Sequence, residues 1–534
     1  MGVELNTMIL GHVIQTKAET VPDKKCVIFE RNQRPDVHLT YADMWRNTNK
    51  FAAMLQREGL GNGDKFAVIM RNHPEFLYAM TAGTLIGAIS VPIDPRTKGD
   101  KLKYYLNNSE SKVVVVTADL IPVLEEVLRD ATPVKTVYVT YMPWEKPTAK
   151  YPTTNEVLAG PDVNVGNHIE NPMHPLEIIY TSGTTGDPKG VVCTNSRIAQ
   201  YALLGQMVWN YQEDEVLYTG LSLTHGNAQA VTAMPGLVSE HLVVLSERFT
   251  KSRLWDISRK FGCTTFSLLG GMATAIYSEP PKPNDADNPV RVVVSAGMPR
   301  AIWEPFEKRF NVKILEWYAA VEGGLAFKPV GVGPIGSFGK PLPGVLEMKI
   351  VDEDDNECPP GVIGELVSRP SSGEPAQVEY YKNPEASKKK VRGGWLRSGD
   401  MGHTDADGWL FFDYRKGGGL RHNGDFVHPD FVEKVVAEHP DVSEVAIYGV
   451  PAVSGAPGES DVVAAIVPFN RGTLNVASIF AKCRKELEAN FVPTYVQVLD
   501  EIPKTISEKP QERFLIERFN NYKDSVFTEE RARK

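Results

Sequence analysis

The stretch Tyr180-Thr181-Ser182-Gly183-Thr184-Thr185-Gly186-Asp187-Pro188-Lys189-Gly190 constrains the fold more than any other part of the chain. It follows the short run Glu177-Ile178-Ile179-Tyr180, which reads as a strand, and precedes Val191-Val192-Cys193, which reads as another. Glycines let a backbone turn with φ > 0 and bring its N–H groups close to a ligand. Hydroxyls and a lysine add further donors, and a loop of such donors suits a polyphosphate. The spacing is not that of a Walker A loop, which reads G-x-x-x-x-G-K-[ST] and opens a helix. Pro188 also forbids an immediate helical continuation. The bland alternative, which composition also allows, is a surface hairpin rich in Ser, Thr and Gly.

A chain of 534 residues is too long for one core and implies two or three domains. A net charge of −9 argues against a broad basic surface and hence against nucleic-acid binding. The five cysteines are scattered without a C-x-x-C pair, which fits a reducing compartment and neither a disulfide framework nor a zinc site. No apolar run approaches the ~20 residues of a membrane span. Glu4 and the lack of a long apolar stretch near the start give no signal peptide, and Arg531-Ala532-Arg533-Lys534 is not a peroxisomal address. A cytoplasmic protein is expected.

Strand and helix signals alternate through the first part of the chain. Thr40-Tyr41-Ala42-Asp43 offers a capped start for a helix through Leu55. Phe66–Met70, Gly87–Pro92 and Val113–Val116 read as buried strands, and Glu75–Leu85 and Lys101–Asn108 as helices. Such alternation implies a parallel sheet in an α/β domain. Lys146–His174 is rich in Pro, Thr and Asn and reads as irregular. Helix and strand signals resume from Ser196 to Leu315, and from Gly336 short alternating strands suggest a β-rich subdomain. Arg415-Lys416-Gly417-Gly418-Gly419 is the best candidate boundary, followed by a compact unit with helices at Pro429–Glu438 and Val476–Ala489.

The string T-S-G-T-T-G-x-P-K-G resembles the signature loop of the adenylate-forming superfamily, which comprises acyl-CoA synthetases, luciferases and the adenylation domains of peptide synthetases. The resemblance runs over about residues 10–520, in the family's order. It implies an α/β fold: a large N-terminal domain of α/β subdomains plus a β-rich part (1–414, the β-rich part about 336–414), a hinge at 415–419, and a small mobile C-terminal α+β domain (420–534). Residues 196–300 resemble bacterial acid–CoA ligases of the crotonobetaine/carnitine type.

The resemblance also implies roles. Thr181, Ser182, Gly183, Thr184, Thr185 and Lys189 would hold the β- and γ-phosphates of ATP. Glu316-Trp317-Tyr318-Ala319-Ala320-Val321-Glu322 is similar to the family's Y-G-x-T-E segment. There Tyr318 would lie against adenine, with Glu316, Trp317 and Gly297 beside it, and Glu322 would reach Mg²⁺. Ala319 and Val321 stand where the family has Gly and Thr. Trp395-Leu396-Arg397-Ser398-Gly399-Asp400 resembles W-x-x-T-G-D, which makes Asp400 a ribose ligand and Arg415 a second ribose or phosphate contact. Pro503-Lys504-Thr505-Ile506-Ser507-Glu508-Lys509 resembles P-K-T-x-S-G-K, with Glu508 for Gly. Its Lys509 would neutralise charge as a carboxylate attacks the α-phosphate. His225 and Asn227 fall on the acyl side, Arg421 and Gly424 on the CoA side, and Gly417 at the hinge.

The implied activity is an AMP-forming acid–CoA ligase using ATP, CoA, Mg²⁺ and a small carboxylic acid; a homo-oligomer is left open. Rivals are an adenylation enzyme that loads a carrier protein, a luciferase-like oxygenase, and a non-catalytic nucleotide-binding member of the fold.

Overall fold

The computed structural model describes residues 8–181, 188–415, 419–422, 425–427, 429–453, 460–487, 489–504 and 510–533, the side chains of 414, 415, 421, 425 and 426 excepted. The fold is mixed α/β, and the chain gathers into two compact units. The first comprises Met1–Leu268, Asp287–Val294 and Gln377–Lys390, and the second Leu269–Ala286, Ser295–Ala376 and Val391–Lys534.

In the first unit a six-stranded sheet runs in the order Thr136–Thr140, Val113–Thr117, Lys65–Ile69, Ile89–Ile93, Pro175–Thr181, Lys189–Thr194. The first five are parallel and the last is antiparallel. Val113–Val116 are all buried, as befits a parallel strand covered on both faces. The helix Pro74–Ile86 is buried along its whole length, starts with proline in its first turn and stops at Gly87 in the left-handed region. Helix Tyr41–Arg57 begins at the capping box expected from sequence: Thr40 Oγ1 accepts from Asp43 N, and the Asp43 carboxylate accepts from Thr40 N. A second group of strands in this unit is ordered Thr265–Leu269, Val216–Thr219, Leu242–Ser246, Lys25–Glu30, Val37–Thr40.

Lys189–Thr194 is the last strand of its sheet. Its outer side is met by the chain around Tyr380: Val192 N donates to Glu379 O at 2.9 Å and Tyr381 N to Gly190 O at 2.8 Å. Tyr381 and Lys382 then bind Glu110, whose carboxyl is drawn down to about 2, chiefly by the Lys382 hydrogen bond.

The second unit holds the hairpin Lys313–Ala320/Gly323–Lys328 and a five-stranded antiparallel sheet built on Leu346–Val351, Gly364–Pro370 and Trp395–Thr404. Nearer the C-terminus is a four-stranded sheet, Val442–Pro451, Ser460–Pro468, Tyr495–Val498, Val526–Phe527. Alternate residues of its long strands feed two apolar clusters, one around Val462, Ala464 and Ile466, the other around Val463 and Ala465.

The structure departs from the sequence reading in three places. Residues 146–174 are not wholly irregular, because Thr153 and Glu156 form a second capping box and start the short helix Thr154–Ala159. Helices Ile121–Leu128, Gly270–Tyr277, Trp303–Phe310 and Glu512–Asn521 were not expected. Helix Val476–Glu486 ends before Ala489, where Leu487 turns to an extended conformation. Among the described residues no helix is long and apolar enough to cross a membrane.

Candidate active site

In the first unit the glycine-rich segment hangs from an antiparallel hairpin, as its flanks suggest. Thr181 stands opposite Lys189, and the Thr181 hydroxyl donates to Lys189 O at 3.5 Å. Ser182, Gly183, Thr184 and Thr185 lie outside the described residues. The base of the loop is clamped by aromatics. The Tyr180 ring stacks on Tyr105 at 4.3 Å and its hydroxyl donates to Asn108 Oδ1 at 2.6 Å. Tyr104 OH donates to Pro188 O at 3.1 Å, and Lys189 Nζ lies 5.3 Å from the centre of the Tyr380 ring. The described residues at both ends, Tyr180–Thr181 and Pro188–Lys189, are therefore held in place.

His225 closes a short loop in the same unit, and Asn227 is already in the helical turn that runs into the π-helix Ala228–Ala233. That loop is gripped from two sides. Asn72, 1% exposed, donates to Leu221 O at 2.7 Å and Ser246 O at 2.9 Å and accepts from Leu223 N at 2.8 Å. Gln229, fully buried, donates to Leu223 O at 2.9 Å and to Glu177 Oε2 at 3.0 Å. Asn227 N donates to His225 Nδ1 at 3.1 Å, so the neutral imidazole carries its proton on Nε2. Burial raises the Glu177 carboxyl to about 7, opposed by the Gln229 hydrogen bond and the Arg197 charge. Sequence reading missed Asn72, Gln229 and Glu177. An acid inside the run Leu176-Glu177-Ile178-Ile179 was a legible signal, since a charge there must find partners in the core.

The second unit brings together Tyr318 with Asp400, and Glu316 with Gly297, residues expected on the nucleotide side. Tyr318, on Lys313–Ala320, donates its hydroxyl to Asp400 Oδ2 at 2.5 Å, and its ring leans on Phe338 at 4.8 Å. Asp400 is 7% exposed and is the register partner of Arg415 on the adjacent strand. Glu316 is buried and its carboxyl oxygens accept from the backbone of Gly297 and Met298, so it fixes that segment in place. Gly297 has φ 89°, and a Cβ on Gly270 would sit 2.2 Å from the Gly297 carbonyl oxygen; both positions need glycine. Trp317 is buried on the opposite side of the strand from Tyr318. Glu322 is half-buried in the two-residue turn between Ala320 and Gly323. The side chains of Arg415 and Arg421, and all of Gly417, Gly424 and Lys509, lie outside the described residues.

Burial holds the Glu316 carboxyl at about 8, above its ordinary 4.5. The folded chain then keeps a proton that the unfolded chain sheds. That contribution is complete below about pH 4.5 and is lost as pH rises through about 8. Glu316→Gln is expected to flatten the fall of melting temperature between about pH 5 and 8. Melting curves across that range that stay parallel to the parent's would remove Glu316 as the titrating group.

Residues 14–373 match the family described as AMP-binding enzyme. The chain belongs to the AMP-binding enzyme family. A second match, to the AMP-binding enzyme C-terminal domain, covers residues 432–509. This AMP-binding enzyme is 27% identical over 499 residues to a crotonobetaine/carnitine–CoA ligase of Salmonella heidelberg (strain SL476), spanning 91% of this chain and 95% of that relative. Its fold is that of an anthranilate CoA ligase solved in complex with anthranoyl-AMP, with a TM-score of 0.83 and 21% identity over 98% of this chain and 99% of the other. It also matches an O-succinylbenzoate coenzyme A synthetase from Bacillus subtilis solved with ATP and magnesium ion, with a TM-score of 0.75 and 21% identity over 93% and 98% of the two chains. Among the described residues of the AMP-binding enzyme, no cluster of three or more His, Cys, Asp or Glu could cage a metal ion. A single half-buried carboxylate such as that of Glu322 still fits Mg²⁺, which takes one or two carboxylates plus phosphate oxygens and water.

Proposed function

We propose that the protein is an AMP-forming acid–CoA ligase. The observation that carries this reading is the cradle of the second unit, in which Tyr318 holds Asp400 and Glu316 holds the Gly297–Met298 backbone. That cradle is the site a nucleoside needs, with a flat ring against Tyr318 and a carboxylate for ribose hydroxyls. The likeness to acid–CoA ligases along nearly the whole chain supports the same conclusion.

In the first half-reaction a carboxylate oxygen of the acid attacks the α-phosphorus of ATP, the bond to pyrophosphate breaks, and an acyl-adenylate forms. In the second, the CoA sulfur attacks the acyl carbon and AMP leaves with the bonding electrons. Thr181, Lys189 and the loop between them hold the β- and γ-phosphates. Asp400 and Arg415 hold ribose. Lys509 offsets the meeting of two anions. Glu322 is the residue that would hold Mg²⁺, whose chemistry is to neutralise phosphate charge. Residues 420–534 form a small mobile domain that turns at Gly417, within 415–419, between the half-reactions, and Arg421 and Gly424 then face CoA.

The test is acid-dependent exchange of pyrophosphate into ATP with a panel of carboxylic acids, followed by thioester formation with CoA as sole acceptor. Exchange without thioester points to an adenylation enzyme that loads a carrier protein. Nucleotide binding with no exchange for any acid would make the chain a non-catalytic member, a reading favoured by Ala319, Val321 and Glu508.

A further inference from the structure

A β-bulge leaves backbone groups without their ladder partners, and the side chains that take those groups decide where the bulge points. The second unit carries one at Asp400. Between the pairs Glu365↔Met401 and Val367↔Arg397, strand Gly364–Pro370 has Leu366 alone, whereas strand Trp395–Thr404 has Ser398, Gly399 and Asp400. Gly399 makes the turn with φ 80°, where a side chain would be strained. Asp400 leaves the turn with its carboxylate against the Tyr318 hydroxyl.

Two side chains take the freed N–H groups. Ser398 Oγ accepts from Asp400 N at 2.9 Å and donates to Leu366 O at 2.6 Å. Glu365 Oε1 accepts from Gly399 N at 3.2 Å. Both tie the turn to strand Gly364–Pro370, Ser398 through a backbone oxygen and Glu365 through its own carboxylate. The Glu365 tie is charge-assisted, the stronger kind. Glu365 is 9% exposed, and its other oxygen lies 3.4 Å from Arg397 Nη1, whose guanidinium also pairs with Asp355. A carboxylate this deep, held on both oxygens, is a fixed strut under Asp400 rather than a solvated surface acid.

We infer that Glu365 is a positioning residue for the nucleotide: it holds the Ser398-Gly399-Asp400 turn so that the Asp400 carboxylate meets the ribose hydroxyls, and it thereby sets the preference for ATP over its deoxy analogues. This deepens the proposed ligase reading and rests on it for the ribose at Asp400. Displacing a binding group by about 1 Å can cost ~10²-fold, so a strut behind Asp400 controls affinity without touching the ligand. The competing account is that Glu365 serves only the stability of the sheet, through Arg397.

The test uses the full-length protein with Mg²⁺ and the probes ATP, 2′-deoxy-ATP and 3′-deoxy-ATP, with dissociation constants measured by titration calorimetry. The parent should favour ATP over at least one deoxy form by ~10-fold or more, the range of a lost charge-assisted bond. Glu365→Leu, which removes both acceptor and charge, should weaken ATP by ~10-fold, leave that deoxy form within ~3-fold and bring the ratio close to one. Glu365→Gln keeps an acceptor for Gly399 N and should restore most of the ratio. In an Asp400→Ala background Glu365→Leu should cost ATP binding nothing further, because residues that act through one group are not additive. Glu365→Ala carries the same expectations where the leucine variant does not fold. A ratio kept in the leucine or alanine variant, with a lowered melting temperature, overturns the inference and leaves the ligase reading standing. So do losses that multiply with Asp400→Ala. Equal affinity of the parent for all the probes takes the ribose away from Asp400 and overturns the inference. A parent that discriminates among them but supports pyrophosphate exchange with no acid overturns the ligase reading alone, since nucleotide binding does not need the acid.

Discussion

Lys509→Ala is expected to lower acid-dependent pyrophosphate exchange by ~10²–10³-fold while leaving thioester formation from a supplied acyl-adenylate near the parent rate. In adenylation a carboxylate approaches a phosphate that is already negative, and charge builds on the phosphoryl oxygens as the bond to pyrophosphate opens. A cation placed at that point stabilises the transition state more than the ground state. The loss should therefore appear in kcat rather than in KM. In the second half-reaction the electrophile is an acyl carbon and no second anion meets the phosphate. The described residues on either side of 505–509 are tied together, because Lys504 bridges Pro510, Gln511 N donates to Pro503 O at 2.7 Å, and Gln511 Nε2 donates to Lys504 O at 2.7 Å. Lys504 itself is tied to Glu444 at 2.5 Å. Equal loss in both half-reactions would refute the role.

The second large effect is expected at Asp400. A carboxylate that accepts from two ribose hydroxyls makes two charge-assisted bonds, each worth about 1.5–3 kcal/mol. Asp400→Ala should raise the KM for ATP by about 100-fold, toward the lower bound of that range because water enters the space left. Tyr318→Phe removes one neutral donor to the same carboxylate and keeps the ring, so its effect should stay within about fivefold. The comparison is made by titrating ATP in the exchange assay, with melting curves to confirm that both variants fold. An Asp400→Ala enzyme with an ATP KM within threefold of the parent would take Asp400 out of the nucleotide site.

What could be read from sequence, and what could not, follows from the range of the forces involved. Val113–Val116 and Ile89–Ile93 carry their burial in their composition, and Thr40/Asp43 carry a helix start in two side chains. Those signals are local. The pairing of Tyr318 with Asp400 joins positions 82 residues apart, and nothing near either residue signals it; resemblance gave each a place beside the nucleotide without pairing them. Asn72 was invisible because its three partners lie 149 to 174 residues away. Helix Gly270–Tyr277 was missed because Gly270-Gly271 reads as a turn; the structure places glycine at 270 for the sake of the Gly297 carbonyl.

The Tyr380 segment bears on how the protein is made. Strand Lys189–Thr194 receives its outer hydrogen bonds from residues 379–381, far later in the chain. At ~5–20 residues per second, synthesis leaves that edge open for on the order of ten to forty seconds after it emerges from the ribosome. An open edge pairs with whatever extended chain it meets, and Val191-Val192 gives it apolar side chains to offer. The charge of Lys189, which begins the strand, then guards the open edge against misassembly in the nascent chain, a task separate from the phosphate contact proposed for it in the finished protein.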